Sequence, residues 1–113
     1  KSCEQQSEGG MAMGIGSALY EETLMEDGRI LNPSFTDYRV PLATQMPFNE
    51  NMKSILVESA PHKDGPFGAK GFAEGVVTGM EPAIANAVYN AVGVRIKELP
   101  ITPEKVLKAL REK

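Results

Sequence analysis

The residues with the clearest chemical potential form a glycine-rich stretch in the middle of the chain, which ends near one carboxylate. The stretch is Gly65-Pro-Phe-Gly-Ala-Lys-Gly-Phe-Ala-Glu-Gly75, and its carboxylate is Glu74. Glycines let a backbone turn tightly and approach a ligand without a Cβ in the way. A carboxylate on such a loop can act as a base, an acid or a metal ligand, although a Glu taken alone is most often a solvated surface residue.

Four stretches of the sequence give this loop a context. They are Gln6–Gly10 continuing through Met13–Gly16, then Gly28–Pro41, then Gly68–Glu74, and finally Pro82–Tyr89 continuing through Val94–Ile96 and Leu99–Leu107. In this order they resemble the C-terminal end of the molybdenum-binding subunit of the xanthine dehydrogenase/aldehyde oxidase family. The resemblance covers nearly all of the 113 residues.

The resemblance implies an oxidoreductase that hydroxylates a carbon of an N-heterocycle or an aldehyde with a molybdenum–pterin cofactor. Glu74 matches the family's catalytic base, and Gln6 matches a glutamine that lies against the pterin. Gly71 is assigned with Gln6 to the cofactor-binding surface, and no residue of the chain is assigned as a metal ligand. One departure is that many members have Gly-Glu-Pro around the base, whereas this chain has Ala73-Glu74-Gly75, which leaves the following backbone freer.

The family's molybdenum subunits run to several hundred residues, so the resemblance also implies partners. We expect the remainder of the molybdenum subunit, together with iron–sulfur and flavin subunits or domains, to complete the enzyme. On its own the chain should bind no cofactor and be inactive, and it could also form a homo-oligomer. An alternative stays open, in which the chain is a noncatalytic folded fragment that serves as a packing or interaction domain.

Composition limits the class of protein further. The chain of 113 residues suits a single domain, 1–113, with 42% hydrophobic and 24% charged residues. Its net charge of −3 argues against nonspecific nucleic-acid binding, and no apolar run is long enough for a transmembrane helix. The polar N-terminus and the single cysteine, Cys3, predict a cytoplasmic location. His62 has no metal-ligand pattern near it and is predicted to lie on the surface.

The elements that must position these residues begin with a helix over about Glu4–Met25. Its apolar face is formed by Met11, Ile15, Ala18 and Leu19 at helical spacing. A second, small face of Gly10, Gly14 and Ser17 either packs closely against another element or leaves room for a cofactor, and the residues leave this open. We expect this small face to contact another polypeptide or a second copy of the chain.

The rest of the chain predicts short strands and two more helices. Ser54–Ser59 and Val94–Lys97 are predicted strands, and a helix is predicted to begin near Pro82 and to end before Gly93. A final helix should be capped by Thr102. Together these elements predict an α+β fold of helices packed with short strands, in which Phe67 and Phe72 could exclude water from the loop that carries Glu74.

Overall fold

The computed structural model describes residues 1–47 and 49–113, and its main unit is a pair of long helices. Helix α1 spans Ser2–Leu19 and helix α2 spans Glu74–Val92. A shorter helix, α3, spans Pro103–Arg111. Single 3-10 turns at Ala43–Gln45, Asn49–Asn51 and Pro66–Gly68 lie in the irregular segments between them.

Helices α1 and α2 pack through the small face of α1. A Cβ placed on Gly10 would lie 2.9 Å from Val76 Cβ, and one placed on Gly14 would lie 2.9 Å from Met80 Cγ. One helical turn forward on α1 therefore corresponds to one turn forward on α2, so the two helices run parallel. The small face thus serves close packing, and the expectation that it contacts another polypeptide was wrong, because α2 of the same chain covers it.

Helix α2 covers the small face of α1 because it begins earlier in the chain than predicted. The sequence predicted a helix that begins near Pro82, whereas α2 begins at Glu74 and contains Pro82 in its interior. Proline there removes the hydrogen bond to the carbonyl of Thr78, a loss that usually breaks or kinks a helix. The contacts of Val76 and Met80 with α1 hold the turns before the proline in place. At its far end α2 stops at Gly93, which has a φ of +71°, as the sequence predicted.

The segment after α1 forms a small antiparallel hairpin. Strands β1 (Met25–Glu26) and β2 (Arg29–Ile30) pair around Asp27 and Gly28, whose φ values are +47° and +76°. Two successive left-handed residues are typical of a type I′ hairpin turn. The buried Asn32 side chain closes the hairpin by accepting from Leu24 N–H at 2.9 Å and donating to the Glu22 carbonyl at 2.6 Å. Because residues 22–32 form this hairpin, α1 ends at Leu19 and not near Met25.

The end of the chain matches the prediction in its helix and departs from it in its strand. The Thr102 hydroxyl accepts a hydrogen bond from Lys105 N–H at 3.3 Å and caps α3 as predicted. Ile101 N–H donates to the Ala18 carbonyl at 2.6 Å, which ties this segment to α1.

Val94–Lys97 is not a strand, because no other described segment pairs with it, although Val94 is buried. The predicted strand at Ser54–Ser59 is likewise not formed. The fold class of helices with a small sheet is confirmed.

The chain has a large surface for its size. Its accessible area is 8968 Å², whereas a compact monomer of 12.2 kDa exposes about 6,000 Å². Its radius of gyration is 17.3 Å, against about 13 Å for a compact domain of this length. The buried hydrophobic residues among those described are Ile15, Ala18, Val94 and Ile101. Among the described helices, none is both long enough and apolar enough to cross a membrane.

Candidate functional site

The glycine-rich stretch begins with a tightly closed loop. His62 N–H donates to the Gly68 carbonyl at 2.9 Å, and Gly68 N–H donates to the Gly65 carbonyl at 2.9 Å. Gly68 has a φ of +77°, and a Cβ there would lie 2.6 Å from Pro61 Cβ. Gly68 is therefore required by the turn itself. The neighbouring His62 is exposed, as predicted.

The two aromatic residues of this stretch face solvent. Phe67 adopts a left-handed φ of +54°, which is unusual for a bulky residue, and its side chain is fully exposed. Phe72 is 42% exposed. Within this chain, neither side chain excludes water from Glu74, so that expectation was wrong for the chain by itself. The closed loop turns Phe67 outward because its backbone follows the turn at Gly65 and Gly68.

Glu74 is the first residue of α2, and its side chain is exposed. The preceding residue, Ala73, offers no side chain to cap the helix, so the first N–H groups of α2 have no side-chain acceptor from the N-cap. The start of a helix carries partial positive charge, and an acidic residue in its first turn interacts favourably with it. An exposed carboxylate and the positive end of a helix therefore lie together at this point.

The parallel packing of α1 and α2 places Gln6 at the same end as Glu74. A Cβ on Gly10 would lie 3.5 Å from the Ala73 carbonyl oxygen, so the start of α2 contacts α1 at Gly10. Gln6 lies one helical turn before Gly10 and is exposed. Gly71 lies shortly before Glu74 on the loop that enters α2 and is also exposed. The three residues predicted from the sequence therefore lie toward one end of the helix pair, which we call the shared N-terminal end.

The space around the glycines of the shared N-terminal end indicates that a large group could lie against this end. A Cβ on Gly9, Gly71 or Gly75 would meet no other heavy atom within 4 Å. The backbone there is open to approach by a flat ligand, and the amide of Gln6 can both donate and accept hydrogen bonds. These residues fit a molybdenum–pterin cofactor as one wall of a site. A cavity of about 460 Å³ lies away from this end and is lined mainly by apolar residues of α1, α2 and α3, together with Tyr20 and Ile101.

The described residues contain no group of three or more His, Cys, Asp or Glu side chains that could hold a metal ion.

One polar contact of the helix pair was not predicted from the sequence. The Ser17 hydroxyl donates to Glu81 Oε1 at 2.6 Å and so links α1 to α2. The sequence predicts only a small side chain at Ser17, because its hydrogen bond to Glu81 joins residues far apart in the chain and has no local signal.

Comparisons with known proteins give these residues a family. The family model described as the molybdopterin cofactor-binding domain matches residues 1–47, which include Gln6. The chain is 44% identical over 101 residues to the 6-hydroxypseudooxynicotine dehydrogenase complex subunit gamma of Paenarthrobacter nicotinovorans. It is 38% identical over 112 residues to the aldehyde oxidoreductase molybdenum-binding subunit PaoC of Escherichia coli K12.

The chain belongs to the xanthine dehydrogenase/aldehyde oxidase family of molybdenum-binding subunits. It spans only a fragment of them: the alignments cover 87% and 97% of this chain but 12% and 15% of those two relatives. The crystal structure of quinoline 2-oxidoreductase from Pseudomonas putida 86 has the same fold over 97% of this chain, with a TM-score of 0.84 and 30% identity. The match covers 14% of that structure's chain, so this chain corresponds to a small part of it.

Proposed function

We propose that this chain forms one wall of the cofactor site of a molybdenum hydroxylase, and that Glu74 is the general base. The observation that carries the proposal is the parallel packing of α1 and α2, which brings Gln6 and Glu74 to the shared N-terminal end. The family model for a molybdopterin cofactor-binding domain covers the α1 side of this end. The two relatives described above align across most of the chain and support the α2 side.

In this proposal each residue of the shared N-terminal end has a separate task. The Gln6 amide would hold the pterin through hydrogen bonds, and Gly71 would let the loop backbone approach it without a side chain in the way. When bound, the molybdenum–pterin group supplies an activated oxygen and accepts two electrons. Glu74 would take up the proton that the hydroxylation releases at this end. A positioned carboxylate acting in this way contributes about 10²–10⁴-fold to the rate.

The remainder of the molybdenum subunit must supply the other walls. Glu74 is exposed in this chain, so the rest of the subunit must cover it to exclude water from the proton transfer. One relative is named as subunit gamma of a complex, and we propose that iron–sulfur and flavin subunits or domains carry the electrons away here as well. The substrate is an aldehyde or an N-heterocycle, since the names of the similar proteins include aldehyde oxidoreductase and quinoline oxidoreductase.

The test is Glu74→Gln in the complete enzyme, because this change keeps the size of the side chain and removes the proton acceptor. Turnover of an aromatic aldehyde and of an N-heterocycle should fall by about 100-fold or more, while molybdenum and pterin contents stay normal. Glu112→Gln is the matched control, since Glu112 is an exposed carboxylate at the far end of α3. Near-normal turnover of the Glu74 variant with full cofactor would instead favour the alternative of a noncatalytic packing domain.

A further inference from the structure

A second feature of the chain lies outside the helix pair, in the segment 54–58 (Ser-Ile-Leu-Val-Glu), which forms neither helix nor strand. The exposed fractions of its apolar side chains are 87% for Ile55, 37% for Leu56 and 78% for Val57. This alternation is what an extended backbone produces, because successive side chains then point to opposite sides. Isoleucine and valine are also among the residues most enriched in strands. The segment therefore has the features of a strand without a neighbour.

The backbone of this segment is also without partners in the chain. No N–H or C=O group of residues 54–58 makes a backbone hydrogen bond with another residue in the described part of the chain. In water these groups bond to solvent. Any of these groups that becomes buried when the segment is covered needs a new partner, because a buried unpaired backbone group is costly.

If the chain is one part of a larger subunit, as proposed above, the apolar side chains of this segment are among those that the rest of the subunit would cover. Ile55 and Val57 share one side of it and are among the most exposed large hydrophobic residues of the chain. The chain as a whole exposes roughly half as much surface again as a compact monomer of its mass. What covers the segment must bury these side chains and also pair with its backbone. A helix satisfies its own backbone groups and cannot do the second, whereas the edge of a β-sheet does both.

We propose that residues 54–58 form a β-strand that adds to the edge of a sheet in the remainder of the molybdenum-binding subunit. This inference rests on the proposed function, in which the chain is one part of such a subunit. Ile55 and Val57 face the core beneath that sheet, while Ser54 and Glu58 lie on the more polar side. A second copy of the chain is a poorer partner, because two such segments alone give a two-stranded ribbon, which is marginally stable.

Hydrogen exchange with residue resolution tests the proposal on the complete molybdenum subunit and on the 113-residue chain. A strand added at an edge directs alternate N–H groups toward its neighbour. Alternate amides within 54–58 should therefore exchange at least about 100-fold more slowly in the complete subunit than in the chain alone. Equal exchange in both samples would overturn the proposal. Protection that arises in the chain alone, together with a dimer mass, would overturn it in favour of a second copy.

A pair of proline variants tests the same pairing by a different route. Leu56→Pro and Val57→Pro each remove one backbone N–H, but only one of these N–H groups points toward the neighbouring strand. The variant at the protected amide should lower the yield of folded complete subunit by about tenfold relative to the other. Equal yields would contradict strand addition, and if neither variant folds, the exchange result decides alone.

The two proposals can fail separately. Molybdenum and pterin are measured on the same complete subunit that is used for hydrogen exchange. Full cofactor with unprotected residues 54–58 would overturn the strand and leave the function intact. Protected residues 54–58 in a subunit that takes up no cofactor would overturn the function and leave the strand.

Discussion

The contact between α1 and α2 makes a graded prediction for three glycines of α1. An alanine at Gly14 would collide with Met80, since its Cβ would lie 2.9 Å from Met80 Cγ and 3.2 Å from the Val77 carbonyl oxygen. At Gly10 the nearest atom would be Val76 Cβ at 2.9 Å, with Val76 Cγ1 at 3.3 Å. At Gly9 nothing lies within 4 Å. The three substitutions are chemically identical and differ only in what the added methyl group meets.

The magnitudes follow from two opposing effects. Replacing glycine by alanine inside a helix stabilises it by about 0.5–1 kcal/mol, and this gain is common to all three positions. Overpacking a close contact costs about 1–3 kcal/mol, and this loss is full at Gly14, smaller at Gly10 and absent at Gly9. Gly9→Ala should therefore stabilise the chain. Gly14→Ala should have a free energy of unfolding about 1–3 kcal/mol below that of Gly9→Ala, because the helix gain cancels in the comparison.

Urea unfolding followed by far-UV circular dichroism measures this difference. With a urea dependence of about 1–3 kcal/mol per molar, the two midpoints should differ by about 1 M. The expected order of stability is Gly9→Ala, then Gly10→Ala, then Gly14→Ala. Equal stability of the Gly9 and Gly14 variants would show that α1 and α2 do not pack at Gly14, and with that the shared N-terminal end would lose its basis.

Three further predictions concern the rest of the chain. Thr102→Ala should cost about 1 kcal/mol through loss of the α3 cap, with Thr44→Ala as an exposed control, measured by the same urea titration. Hydrogen bonds from its own backbone and from Thr102 lower the pKa of Glu104, so this variant should raise that pKa toward its ordinary value in an NMR titration. The small stabilisation from Glu104 is present above its unfolded pKa and is lost as the pH falls through its folded pKa. This loss should be smaller in the variant, because the hydrogen bond from the backbone of Glu104 remains and only the one from Thr102 is removed. The isolated chain should retain no molybdenum or pterin after purification, because the residues described form one wall of a site, and stoichiometric cofactor would contradict this. The isolated chain should also bind a hydrophobic dye and self-associate in light scattering, whereas a monomer without dye binding would contradict the large exposed apolar surface.

Local signals in the sequence predicted two helix boundaries, the end of α2 and the start of α3. Thr102 followed by Pro103 predicts a capped helix start, and Gly93 predicts a helix end, because both depend on neighbouring residues only. The start of α2 was missed for the opposite reason. Gly75, Gly79 and Pro82 all disfavour a helix locally, and only the packing against α1 stabilises one there.

The predicted strands at Ser54–Ser59 and Val94–Lys97 failed because a strand needs a partner. Propensity identifies a segment that is suited to a sheet, but the described chain holds no neighbour for either segment. The arrangement of the candidate site could not be predicted from the sequence for a related reason. Gln6 and Glu74 lie toward the same end of the helix pair only because α1 and α2 pack in parallel, a contact that joins residues more than sixty positions apart.

The most direct test of the proposed function is the rate at which substrate reduces the cofactor in a single turnover without an electron acceptor. This measurement isolates the chemical step from electron transfer to partners. If Glu74 is the general base, the Glu74→Gln enzyme with full molybdenum and pterin should be reduced by an aromatic aldehyde at least about 100-fold more slowly than the unaltered enzyme. Reduction at the unaltered rate would contradict the role assigned to Glu74.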